Sequence, residues 1–355
     1  MHGNQGSTAK ISRAGRIGKG ITQGLHKPCG GGSSAPPIKA DKILNNGETK
    51  MEIKITKTDC TKIVNESLRG GVEYDLFGEP IQKDVILRDK FIEPPFSVID
   101  TKKGEWQVRK NLWKRKGIRS EIGRDSAVIH MDTTAKEKNQ IEYVSIFDPA
   151  LCEVIYKWFC PENGAILDPF AGGSVRGIVA NYLGYNYTGI DIRQEQIDSN
   201  REQAQEILDV DKQPNYYVGD SNKVLDKIVR EYDLVFSCPP YADLEVYSDL
   251  EGDISNMKYD DFLVAYRSII KKACFKLKKG GFACFVVGEV RGKDGNYIGF
   301  VPDTIRAFMD CGMSYYNEAI LLNPIASASM RADGNMKTKK LVKVHQNVLV
   351  FKKAN

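Results

Sequence analysis

Ile166-Leu167-Asp168-Pro169-Phe170-Ala171-Gly172-Gly173-Ser174 is the stretch on which the fold turns. An apolar run ends at Asp168, two glycines allow a sharp turn, and a helical pattern follows over 174–184. Strand, glycine turn and helix in that order put the turn at the carboxyl end of a parallel strand, where open α/β sheets bind ligands. Glycines let the backbone come close to a ligand, and a helix N-terminus attracts carboxylate or phosphate. The stretch is not GxGxxG and has no Walker lysine. Taken alone it serves tight packing as well as it serves binding.

Outward from this turn, strand-like runs alternate with helical ones. The strands read at 165–167, 187–192, 216–219, 232–237, 282–287, 318–322 and 347–351. Helical patterns lie between the first five, at 174–184, 193–208, 221–230 and 258–278. In the last of these Phe262, Leu263, Tyr266, Ile269, Ile270, Ala273 and Leu277 keep a helical period. Such alternation predicts an α/β fold with a Rossmann-like, doubly wound, seven-stranded sheet. The final two strands have no helix between them and are expected as an antiparallel hairpin at the sheet edge.

Three regions follow from composition. Residues 1–46 hold seven Lys or Arg against Asp41, with a Gly-Ser-Pro run at 30–37, and read as a disordered basic tail. Residues 47–140 form an irregular N-terminal extension, and 141–355 carry the α/β domain. Within the extension, 101–124 holds nine basic and two acidic residues with Trp106 and Trp113 interleaved. Trp106, Arg109, Lys110 and Trp113 are candidates for nucleic acid, because basic groups match phosphates and indoles stack on bases. The competing reading is a helix whose two tryptophans, seven apart, share a face and dock on the core.

The 355 residues carry 51 Lys plus Arg, 46 Asp plus Glu and a net charge of +5, a weak pointer to a polyanion. The longest strongly apolar run, 282–287, is far below the ~20 residues of a membrane span. No secretory signal is read, and a cytoplasmic protein is expected. Eight cysteines show no CxxC pair and four histidines are scattered, so neither a metal site nor a disulfide framework is expected. Most of the cysteines sit in apolar segments and read as core thiols.

Three acids end successive strands. Asp168 closes the first, Asp191-Ile192 the second and Asp220-Ser221 the third. An acid at the end of the second strand accepts ribose hydroxyls, and one at the third reaches an adenine amine. Singly each is a helix cap; together they describe a pocket for an adenosyl ligand. Cys238-Pro239-Pro240-Tyr241 ends the fourth strand. Its prolines fix the backbone and remove two donors, and Tyr241 offers an aromatic face.

The order DPFAGG and then a tetrad of the (D/N/S)PP(Y/F) type, here CPPY, resembles the class I S-adenosylmethionine-dependent methyltransferases, and more narrowly the DNA amino-methyltransferases that make N6-methyladenine or N4-methylcytosine. The chain from about 93 onward also resembles phage-encoded DNA methylases, through PPFSVID, WQVRK, FDPALCE, DPFAGGSVRG, SCPPYADLEVYSD and HQNVLVF. The resemblance implies S-adenosyl-L-methionine as cofactor and DNA as partner. It implies that the segment through Phe147 and Asp148 leads to the cofactor's methionine end. Asp168, Pro169, Phe170, Gly172, Gly173, Ser174, Asp191, Ile192, Asp220 and Ser221 complete the implied cofactor site. It implies a base flipped from the duplex, its amine held by Cys238 and the Pro239 carbonyl, its ring stacked on Tyr241.

One position departs from the family. Asp, Asn or Ser is usual where this chain has Cys238, and a thiol is a weak acceptor. Ser237 points to the opposite face by strand alternation. Cysteine is nearer serine than aspartate in size, which favours cytosine N4. Other readings stay open: an RNA methyltransferase, a 5-methylcytosine enzyme using Cys238 as nucleophile with Gly288-Glu289-Val290 as a loose echo of its acid motif, and an inactive DNA-binding relative. The acidic stretch 242–257 reads as a lid. The loop 323–345, with Arg331, Lys337, Lys339, Lys340 and Lys343 against Asp333, reads as a DNA clamp.

Overall fold

The structure, a computed structural model, describes residues 87–119, 147–241, 248–323, 325 and 328–355. The tail 1–46, most of the extension, Ser145-Ile146 and residues 242–247 lie outside the described residues. Those described all belong to one compact unit, Lys57–Asn355.

The chain enters through a short helix α1 (Leu87–Phe91), strand β1 (Val98–Asp100) and helix α2 (Gly104–Arg115). Helix α3 (Pro149–Phe159) then leads into β2 (Ala165–Asp168), α4 (Val175–Tyr182), β3 (Asn186–Asp191) and α5 (Gln194–Ile207). Next come β4 (Asn215–Val218), α6 (Ser221–Lys227), β5 (Tyr232–Ser237) and α7 (Tyr259–Phe275). The chain closes with β6 (Leu277–Val287), α8 (Phe300–Met309), β7 (Met313–Leu322), α9 (Ala328–Lys337) and β8 (His345–Lys353).

The strands make one sheet in the order β1-β7-β8-β6-β5-β2-β3-β4. Its order turns back on both sides of β2, the doubly wound arrangement the alternation predicts. Only β8 among the described strands is antiparallel, paired with β6 on one side and β7 on the other. β2 is buried on both faces, which its unbroken apolar run requires. Two cores result. One face packs α2 to α5 through Trp113, Tyr156, Ile178 and Ile197, and the other packs α6 to α8 through Leu225, Phe262, Tyr266 and Phe308.

Three expectations are corrected. The sheet has eight described strands, not seven, because 98–100 pairs in parallel with 320–322. The last two strands do pair antiparallel, but not as a plain edge hairpin: β8 lies inside the sheet, β1 lies beyond β7, and α9 separates the two in sequence. α8 also fills the connection from β6 to β7, so β7 stays parallel to β6.

Candidate active site

The first helix of the α/β domain is started by Asp148. Its Oδ1 accepts the Ala150 amide at 3.0 Å, with Pro149 in the first turn. Its Oδ2 accepts the Trp106 indole N–H at 3.1 Å and the Lys110 ammonium at 3.0 Å. Glu153, one turn on, accepts the Trp113 indole N–H at 3.1 Å and pairs with the Arg109 guanidinium. Both indoles are buried, at 3% and 0% exposure. This corrects the reading of Trp106 and Trp113 as stacking surfaces for nucleic acid, while Arg109 and Lys110 are half-buried and ion-paired. Buried rings bonded to carboxylates cannot stack on bases, and the segment is a helix docked on α3.

Asp168 lies fully buried where β2 ends. Its Oδ1 accepts the Phe170 amide at 3.1 Å and the Ser237 hydroxyl at 2.6 Å. Its Oδ2 accepts Arg176 Nε at 2.5 Å and the Tyr187 hydroxyl at 2.7 Å. Arg176 then donates to the Phe170 carbonyl at 2.5 Å and the Ala171 carbonyl at 2.8 Å, its guanidinium 4.7 Å over the Phe147 ring. Asp168 is thus an anchor: it ties the end of β2 to the end of β5 and to Tyr187 of β3 and, through Arg176, clamps the glycine turn from beneath. Ser174 and Ser221 are likewise committed, to Gln203 at 2.6 Å and to the Pro169 carbonyl at 2.5 Å.

Above that anchor the turn is open. Gly172 sits at φ +51°, in the left-handed region that glycine enters without strain. Its amide donates to Asp191 Oδ2 at 2.9 Å, and its carbonyl accepts the Asn200 amide at 2.6 Å. Asp191 Oδ1 accepts the Arg193 amide at 3.0 Å. Burial raises the Asp191 carboxyl above its ordinary value, against the pull of the Arg193 and Gly172 amides. A carboxylate has about four lone-pair sites, and these two amides use one on each oxygen. Asp191 and Ile192 remain half-buried, as do Gly172, Gly173, Phe170 and Asp220. Asp220 caps α6 through the Asn222 amide at 2.8 Å. Gly252 lies against it, so that a Cβ there would stand 3.4 Å from Oδ2. The described part of the acidic stretch is ordered by Asp253, which accepts from Ser248 and Ser255.

The tetrad follows β5. Ser237 is buried on Asp168, so it turns away from the side on which Cys238 lies. Cys238, Pro240 and Tyr241 are half-buried, and Pro239 is buried. Tyr241 meets Phe300 edge to face at 5.6 Å, Phe300 meets Tyr266 at 5.5 Å, and Tyr266 meets Phe170 at 6.0 Å. An aromatic chain thereby links the glycine turn to the tetrad. Arg176, Tyr187, Asn200 and Phe300 went unread in the sequence. Each is an ordinary helix or strand position whose role appears only when distant elements meet.

Basic residues lie in the connection between β7 and β8. The stretch expected as a loop after Asn323 contains α9, in which Lys337 pairs with Asp333 at 2.8 Å on the surface. Arg331, Lys337 and Lys339 are exposed, while Lys340 is half-buried with its side chain against Gly295. Lys343 reaches Asn347 Oδ1 at 3.4 Å.

Residues 39–203 match the sequence model of a family described as DNA methylase. The expected resemblance is therefore found over the stretch that holds α3, the glycine turn and Asp191. The chain matches none of the curated proteins. Among solved structures it is similar to TrmN from Thermus thermophilus, at 14% identity and TM-score 0.39 over 58% of this chain and 49% of that one. Another Thermus thermophilus protein, a proposed DNA modification methylase, is 19% identical, TM-score 0.29, over 38% of this chain and 51% of that one. The magnesium protoporphyrin IX methyltransferase of Synechocystis PCC 6803, solved with bound SAM, is 13% identical, TM-score 0.37, over 58% and 79%. The chain thus spans about half the length of two of these.

Proposed function

We propose that this protein transfers a methyl group from S-adenosyl-L-methionine to the exocyclic amine of a base in DNA. The observation that carries the reading is the convergence of the glycine turn, Asp191 and the Cys238–Tyr241 tetrad at the carboxyl ends of neighbouring strands. The DNA methylase match over 39–203 gives it its substrate class.

The residues present fit the cofactor. Asp191 keeps acceptor capacity on both oxygens at the end of β3, where ribose hydroxyls would donate. Gly172 and Gly173 leave the turn without side chains, and Asp220 stands one strand further on for an adenine amine. When bound, the cofactor supplies an electrophilic methyl group on a sulfonium. Cys238 and the Pro239 carbonyl accept from the base's amine and draw its lone pair out of the ring. Pro240 has no amide N–H to compete for that carbonyl's surroundings. Tyr241 stacks on the flipped base. Orientation and acceptance of positive charge developing on nitrogen provide the rate enhancement.

Cytosine N4 is the first product to seek, given the size of Cys238. The 5-methylcytosine reading finds little support in Glu289. Its Oε1 accepts the amides of Val290, Gly299 and Phe300, so it caps α8. Duplex DNA is held by exposed Arg331, Lys337 and Lys339 with Lys340 in the same connection. Incubation with methyl-tritiated cofactor tests the proposal. Label should enter duplex DNA and not RNA, and Tyr241→Ala should abolish it. Label in RNA alone would replace DNA by RNA in this account.

A further inference from the structure

The tetrad is not held by its own strand alone. Gln346, at the start of β8 and 105 positions away in sequence, donates from Nε2 to the Tyr241 hydroxyl at 2.9 Å. Phe300 meets the Tyr241 ring edge-on at 5.6 Å. Gly288, where β6 ends, leaves room beside it: a Cβ there would stand 3.5 Å from the Tyr241 hydroxyl oxygen. Three elements therefore meet one ring: β8 at its hydroxyl, α8 at its edge, and the end of β6 alongside. Two of them act through apolar or backbone contact. Gln346 alone among these three offers a directional polar contact, and a single directional contact at the far end of a tyrosine fixes the ring's remaining torsions. Gln346 is itself set in place by the sheet. Its neighbour Asn347 donates to Glu318 Oε1 at 2.5 Å and pairs across to Val287 and Ile320.

We infer that Gln346 is a positioning residue of the base pocket, orienting the Tyr241 ring from strand β8. The inference rests on the proposed function, in which Tyr241 stacks on the flipped base. A ring free to swing would have to be ordered at the moment the base arrives; a ring already bonded to Gln346 is preorganised for stacking.

The test uses the full chain, an unmodified DNA duplex for the kinetics, a second duplex with 2-aminopurine in place of the target base for flipping, and the variants Gln346→Met, Gln346→Glu and Tyr241→Phe. Gln346→Met keeps side-chain volume and removes the donor. It should lower kcat/KM for DNA about fivefold, the net worth of one neutral hydrogen bond. The fluorescence gain on base flipping should fall with it, while the KM for S-adenosylmethionine and the melting temperature hold. Gln346→Glu should recover most of the loss, because the tyrosine hydroxyl then donates to the carboxylate. Tyr241→Phe should match Gln346→Met, and the double variant should lose nothing more. An equal further loss in the Tyr241→Phe background, or Gln346→Met kinetics identical to the parent, would overturn the inference and leave the proposed function standing. A parent protein that methylates no DNA removes both.

Discussion

In the proposed function Asp191 is the carboxylate that receives the cofactor's ribose. Burial raises its protonation equilibrium above the ordinary 3.8. Between that value and the raised one, the folded chain holds more protons than the unfolded chain. Stability contributed at this group therefore declines as pH rises through that window. Hydroxyl donors reverse the preference, because they bond the ionised form. Cofactor affinity should thus weaken as pH falls from about 7 toward about 4, with a proton taken up on release. Calorimetry across that range should show the slope in the parent and none in Asp191→Asn. At neutral pH, Asp191→Ala should lose about 1.5–3 kcal/mol of cofactor binding, the worth of hydrogen bonds to a charged group. Asp168 behaves differently. Arg176→Met would leave its carboxylate buried without a cation, and urea unfolding should show a loss of about 3–5 kcal/mol. Both acids are legible as strand-end residues, and Asp191 as a ribose acceptor; the anchoring role of Asp168 is not. Asp168 is claimed by Arg176, Tyr187 and Ser237 from three elements, and no spacing in the sequence announces that meeting.

At the level of elements, α2 and α9 divide the basic residues between two tasks. In α2, Arg109 pairs with Glu153 and Lys110 with Asp148, while Trp113 is completely buried and Lys114 and Arg115 stay exposed. Trp113→Ala should destabilise the fold by about 3–5 kcal/mol, and the folded fraction should keep the parent's salt dependence of DNA binding. Arg331 and Lys337 of α9, and Lys339 just after it, face outward. Replacing Lys337, Lys339 and Lys340 together should weaken binding to all duplex sequences and flatten the salt slope by up to about 0.9 for each phosphate left unneutralised. An unchanged slope in filter binding would show that the segment 337–340 does not touch phosphate. The heptad spacing of the two tryptophans allowed docking and stacking equally, and only the partners Asp148 and Glu153 decide. α9 was read as loop because Gly334 and Asn335 interrupt its pattern, although Ala328, Met330, Ala332 and Met336 are sound helix formers. β1 is a strand of three residues, too short for any periodicity, and exists because β7 offers it an edge.

For the whole molecule, the alternation of strands and helices sufficed to foretell a doubly wound α/β sheet. Each buried parallel strand is a short apolar run and each crossover helix keeps a helical period. What alternation could not convey is where β8 inserts, since both of its partners are fixed by pairing at long range. The two cores leave the thiols in distinct surroundings. Cys152 and Cys284 are fully buried and burial drives their thiols upward; that of Cys160 is pushed up to about 12. Alkylation of the folded protein followed by peptide mapping should leave Cys152, Cys160 and Cys284 unmodified and find Cys238, half-buried at the tetrad, modified first among these four. The proposed function joins the glycine turn, Asp191, the tetrad and the outer cations in one reaction. The most direct measurement is mass spectrometry of nucleosides from DNA incubated with the protein and S-adenosylmethionine, with chromatography separating N4-methylcytosine from its isobar 5-methylcytosine. The account predicts N4-methylcytosine or N6-methyladenine, lost in Tyr241→Ala. A product confined to 5-methylcytosine, or DNA returned without any methylated nucleoside, would contradict it.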